Sequence, residues 1–202
     1  MSEAPEWPTY RVGPKDSVFA VGVVSVNYAR LEHAVHAMFA VILGIDAILS
    51  SRLMFKLSPE MRDKMMREMI GTWPWHLDVL DLAKHFIEAH KICYENRNKL
   101  MHSNLISGSE KAITFYKSQR DGTVVLARPS LAELRRVADD MQALGWFAIH
   151  LSTMIRLEIL KHQPMAGDLA FHTWPDKPPL PIPLEYAGPP NPVQTKKPPA
   201  KN

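Results

Sequence analysis

The chain predicts an all-α fold: a helical bundle with a small β-hairpin insertion and a disordered, proline-rich C-terminal tail. Three observations predict it. Three long segments repeat apolar residues at alternating steps of three and four, the mark of helices with one buried face. Two short runs rich in β-branched and aromatic residues flank an Asp-Gly turn. Residues 163–202 hold 11 of the 17 prolines and almost no periodicity, a composition unsuited to a packed core.

Residues 1–15 read as an irregular lead, with acids and three prolines before any apolar run, unlike a signal peptide. From about 16 to 43, Val24, Tyr28, Leu31, Val35, Met38 and Ile42 recur at steps of 4, 3, 4, 3 and 4, and Gly44 ends the stripe. A shorter helix is expected over 46–56. In "SPEMRDKMMREMIG" (58–71), Ser58 is placed to cap a helix that Pro59 opens and Gly71 stops. "TWPWH" follows as a turn, because proline disfavours helix in the residue before it. A long helix then runs from Leu77 to about Ser103, with Val79, Leu82, Phe86, Ala89, Cys93 and Leu100 on its apolar face. "AITFYKS" and "TVVLARP", separated by "QRDG", form the hairpin. Ser130 and Glu133 match a capping box and open a last helix to about His162, with Leu134, Val137, Met141, Leu144, Ala148, Leu151 and Ile155 on one side. Residues 16–162 thus make one helical domain, with 163–202 outside it.

A length of 202 residues fits one domain plus an accessory segment, and 46% hydrophobic against 22% charged residues allows a sizeable core. Cys93 is the sole cysteine, so no intramolecular disulfide forms. Its apolar helical setting predicts packing rather than chemistry. A reducing, cytoplasmic setting is expected. The longest apolar stretch, "VFAVGVVSV" (18–26), is short of the roughly 20 residues a bilayer span needs, and no membrane role is expected. Net charge is +3, of which the segment from Gln163 contributes +1 (four lysines against Asp168, Asp176 and Glu185). That balance excludes a strongly basic nucleic-acid coat, and any RNA contact must come from a local patch.

The most informative stretch is "YENRNKLMHSN", residues 94–104, at the end of the second long helix. Arg97 stands five positions and Asn98 four positions before His102. Five helical steps of about 100° leave about 140° between Arg97 and His102, so they meet only if the helix loosens there. Ser103, Asn104 and Gly108 favour that, since such residues compete with helical bonding. Together the groups suit RNA cleavage. A neutral imidazole can take the proton of a ribose 2′-hydroxyl, and a guanidinium can hold phosphate oxygens through paired hydrogen bonds. Asn98 could bind phosphate or orient the imidazole. No metal or cofactor is required.

With a long first helix, a later helix ending in Arg-Asn-x-x-x-His and a long final helix, residues 16–162 resemble the HEPN superfamily (higher eukaryotes and prokaryotes nucleotide-binding domain). Its signature is an arginine, a short spacer and a histidine, with a polar residue commonly just after the arginine. Arg97, Asn98 and His102 match it at a four-residue spacing. The resemblance implies a helical bundle that forms a homodimer with two motifs facing one cleft. It implies a metal-independent endoribonuclease acting on RNA, in a toxin–antitoxin or phage-defence system with an antitoxin or other protein partner. Arg97 and His102 would be catalytic and Asn98 supporting. Members controlled by tyrosine modification carry a tyrosine two residues after the histidine, where this chain has Asn104. Some members have lost catalysis, so a non-catalytic dimerisation or interaction module is the alternative.

Other residues are weaker candidates. Glu32, on the first helix, could approach the motif as a supporting group. His33 and His36 lie three apart but lack the zinc-protease and di-iron patterns, so no metal site is expected. His85 and His90 share the motif's helix. No Gly-rich phosphate loop, nucleophile elbow or paired CxxC is present. In the tail, "PPLPIPLEY" has the composition of a polyproline ligand for a partner, or of a solvated linker.

Overall fold

The computed structural model describes residues 13–72, 75–106, 113–118, 123–161 and 174–186. The helices are α1 (Lys15–Leu43), α2 (Ala47–Met54), α3 (Pro59–Thr72), α4 (Leu77–Met101) and α5 (Leu131–Lys161), and the strands are β1 (Asn104–Ile106), β2 (Thr114–Ser118) and β3 (Val124–Ala127).

Local chemistry sets most boundaries. Gly44 ends α1 in the left-handed region at φ 63°, and its N–H bonds back to the last turn, a conformation that costs glycine least. Asp46 caps α2, its carboxylate accepting from the backbone N–H of Ile48 at 2.8 Å and of Leu49 at 3.3 Å. Ser58 caps α3 through the N–H of Met61 at 3.3 Å. At α5 the capping box closes both ways: Glu133 N–H donates to Ser130 Oγ at 3.2 Å, and Ser130 N–H donates to Glu133 Oε2 at 2.7 Å. The lead 1–12, the proline of "TWPWH" and the "QRDG" turn lie outside the described residues.

The long helices bury the faces their periodicity marks. Val24, Leu31, Met38 and Phe39 of α1 meet Leu134, Val137, Met141, Leu144 and Leu151 of α5, and Phe86 of α4 lies against Phe147 at 6.5 Å between ring centroids. Asn27 stands within this apolar seam, its amide donating to the Ala138 carbonyl at 2.9 Å. Cys93 is buried in the same core, and burial pushes its thiol up to about 12, so it stays a neutral packing group. The most apolar stretch of α5 has a mean hydropathy of 1.3, enough by length and composition for a membrane span, though its buried residues recur on one side only.

Two expectations need correction. The insertion is larger than the hairpin expected: β2 and β3 do pair antiparallel, and β1 joins them in a three-stranded antiparallel sheet of order β1-β2-β3. Its extra strand, β1, follows directly from the end of α4 and pairs Leu105 with Phe115. And part of the C-terminal tail is ordered. Residues 174–186 run as an extended strap over α4 and α5, with Leu184 buried in the core. The strap is held because Asn96 of α4 satisfies its backbone, accepting from Leu184 N–H at 2.7 Å and donating to the Ile182 carbonyl at 3.0 Å. Composition alone does not reveal a partner that lies about 86 residues away in sequence.

Candidate functional site

The site stands where α4 ends. His102 is the C-cap residue, at φ −106° and ψ 16°, outside helical values, and its N–H still bonds to the Asn98 carbonyl at 3.1 Å. The helix therefore unwinds at this residue, and β1 leaves in a new direction two residues later. That departure, with the length of the arginine side chain, closes the roughly 140° an ideal helix would leave between the two groups.

The groups meet. Arg97 Nη1 lies 2.6 Å from His102 Nε2, and the same nitrogen donates to Asn98 Oδ1 at 3.1 Å. A guanidinium has only donors, so in this contact His102 Nε2 takes the acceptor's part, the role of an imidazole that carries its proton on Nδ1. His102 is solvent-exposed and Arg97 half-buried. The guanidinium carbon sits over the ring of Tyr28 on α1, 5.2 Å from its centroid, within cation–π range. Burial foremost, and then the Glu32 carboxylate, push the Tyr28 phenol well above its ordinary range, while Arg97 pulls the other way. Tyr28 therefore stays uncharged and offers Arg97 a ring face.

Arg97, Asn98 and His102 are thus brought together, and Glu32 is not among them. Glu32 pairs with Arg62 of α3 at 3.4 Å, and Arg62 also donates from Nε to the Leu57 carbonyl at 3.2 Å. That pair ties α3 to α1. Glu32 also acts on Tyr28, beside the motif, through its field.

The other histidines are placed elsewhere. His36 is buried edge-on to Phe55, whereas His33 is exposed along a groove between α1 and α5, so the two do not converge. Among the described residues no three His, Cys, Asp or Glu side chains are grouped as metal ligands. His90 stacks on Phe86 and approaches Asp63 at 3.5 Å, and His85 packs edge-on to Phe147. Both belong to the packing of α4 rather than to the motif.

Sequence reasoning missed Tyr28, which reads simply as one member of an apolar stripe. A tyrosine among aliphatic positions was the available signal, because its ring can face a cation. It also missed Asn96, just before the motif, and Lys99, within it, which hold the strap. Compared with known protein families, curated proteins and solved structures, the chain matches none.

Proposed function

We propose that the protein is a HEPN-type, metal-independent endoribonuclease that works as a homodimer, with the Arg97–His102 pair as its cleavage centre. The single observation that supports the reading is the contact between Arg97 Nη1 and His102 Nε2 at 2.6 Å, on an exposed imidazole. On binding RNA the guanidinium exchanges its imidazole partner for phosphate oxygens, which frees Nε2. His102 then takes the ribose 2′-proton, the 2′-oxygen attacks the adjacent phosphorus, and the bond to the 5′-oxygen breaks. The leaving oxygen takes a proton from water, giving a 2′,3′-cyclic phosphate and a 5′-hydroxyl. Arg97 offsets the charge that grows on the phosphate oxygens, and Asn98 keeps the guanidinium oriented between these states. A cytoplasmic toxin–antitoxin or phage-defence setting, with an antitoxin or other protein partner, belongs to this reading.

The test is cleavage of RNA by the purified protein in a chelating buffer. His102→Ala is expected to lose about 10²–10⁴-fold in rate, and Arg97→Ala to lose activity as well, both with unchanged circular dichroism. Wild-type rates in either variant would reject the assignment.

A second reading is a non-catalytic interaction module of the same fold. It is favoured by the groove of about 940 Å³ between α1 and α5, along which Val26, Trp146 and Ile149 stay exposed. A stable dimer without activity toward any RNA would select this reading, and motif-dependent cutting would exclude it.

A further inference from the structure

The strap 174–186 has the form of a bound ligand. Its exposure follows a period of three. Pro175 and Pro178 are half-buried and Pro181 and Leu184 are buried, while Pro179, Leu180, Ile182, Pro183 and Glu185 are exposed. Three residues per turn is the repeat of the polyproline II helix, which docks one edge and leaves its backbone groups unpaired. The α4–α5 surface supplies what those groups lack. Pro181 and Pro183 have no N–H, so Leu184 presents the N–H at that edge, and Asn96 Oδ1 accepts it at 2.7 Å. The Asn96 amide and Arg136 both donate to the Ile182 carbonyl, at 3.0 and 3.3 Å. Lys99 donates to the Leu184 carbonyl and lies over the Tyr186 ring, 5.3 Å from its centroid. At the other end Lys177 pairs with Asp81, and Trp174 stacks on His76 at 5.7 Å.

We propose that this surface, centred on Asn96, is a recognition groove for polyproline II segments, and that the strap is a tethered occupant which a proline-rich segment of another polypeptide can displace. Most of the recognition falls on backbone atoms and on two buried side chains, Pro181 and Leu184. Leu180 and Ile182, the other apolar residues of the core turn, point to solvent at 43% and 59% exposure. A foreign segment therefore needs only a proline and a leucine three apart, with a free N–H on the leucine. Tethering gives the strap an effective concentration on the order of millimolar, so even a modest intrinsic affinity keeps the groove filled until a tighter segment arrives. This inference does not rest on the ribonuclease reading, and its test reads peptide binding alone.

The probe is a fluorescent peptide with the sequence of residues 174–186. The full-length Leu184→Asp chain, whose own strap can no longer bury residue 184, is expected to bind it at least tenfold more tightly than the wild-type chain. Adding Asn96→Ala to that chain should return binding to background. Failure of the folded Leu184→Asp chain to bind the peptide overturns the proposal. If that variant does not fold, a protease site inserted within 162–173 is cut after the wild-type sequence has folded. Exchange of the severed strap for labelled peptide supports the groove, and no exchange in excess peptide overturns it. A wild-type chain already dimeric, and turned monomeric by the peptide, would give the groove to a second copy and sink the proposal of a foreign partner.

Discussion

Among the described residues the guanidinium of Arg97 meets His102, Asn98 and Tyr28. His102 Nε2 meets one end of the fork, Asn98 Oδ1 accepts from the same nitrogen, and Tyr28 supplies a face beneath it. Arginine, asparagine and histidine were legible because their spacing lies within one stretch of chain. Tyr28 and the detachment of Glu32 were not, because each depends on how α1 sits against other helices. A second residue-scale consequence concerns His36, buried beside Phe55. Burial first, then the Arg62 charge, lowers its affinity for a proton below the ordinary 6.5, with Glu32 opposing. The unfolded chain therefore binds that proton more readily. His36 leaves stability intact above 6.5 and withdraws it as pH falls from there toward the lowered folded value. His36→Gln is expected to flatten this slope, seen as a smaller difference in urea midpoint between about pH 5 and about pH 7.5 than in the wild type.

At the scale of elements, caps decided where helices begin, and caps can be read locally. The start of α5 is the clearest example. The Ser130 N–H, and then its hydroxyl, hold the Glu133 carboxyl below the usual carboxylate range. Ser130→Ala is expected to destabilise the fold by about 0.5–2 kcal/mol at neutral pH, measured by chemical denaturation. Because Glu133 titrates lower when folded, its share of the cap is present above 4.5 and lost as pH falls through the lowered value. The penalty of Ser130→Ala should therefore shrink in acid, and a penalty constant with pH would contradict the reciprocal cap. Strand β1 escaped the sequence reading for the opposite reason. Three residues, "NLI", carry no measurable alternation, and their pairing with β2 is made across residues 107–113. The end of α4 falls at Met101, within two residues of the Ser103 expected, and β1 begins just beyond it.

At the scale of the molecule, one apolar cluster joins α1, α2, α3, α4, α5, β2 and β3 with Leu184 of the strap. Phe86 lies near its centre, fully buried and against both Phe147 and His90. Phe86→Ala is expected to cost about 3–5 kcal/mol. It should appear as a lower melting temperature in one cooperative transition. Loss of one helix signal well before the others would mean that the bundle is not a single cooperative unit. The same cluster explains the low visibility of the strap: its prolines look solvated in sequence, yet Leu184 is buried in the cluster.

By itself the sequence determined the helices, most of their caps, the faces they bury and the Arg97-Asn98-x-x-x-His102 segment, because each is set by residues within a turn or two of one another. Tertiary structure alone decided that Tyr28 lies under Arg97, that Glu32 belongs to Arg62, that a third strand joins the hairpin and that the strap finds Asn96. Those pairings join residues far apart in the chain, and the free energy that selects them comes from burial and hydrogen bonding across helices, which no local pattern encodes.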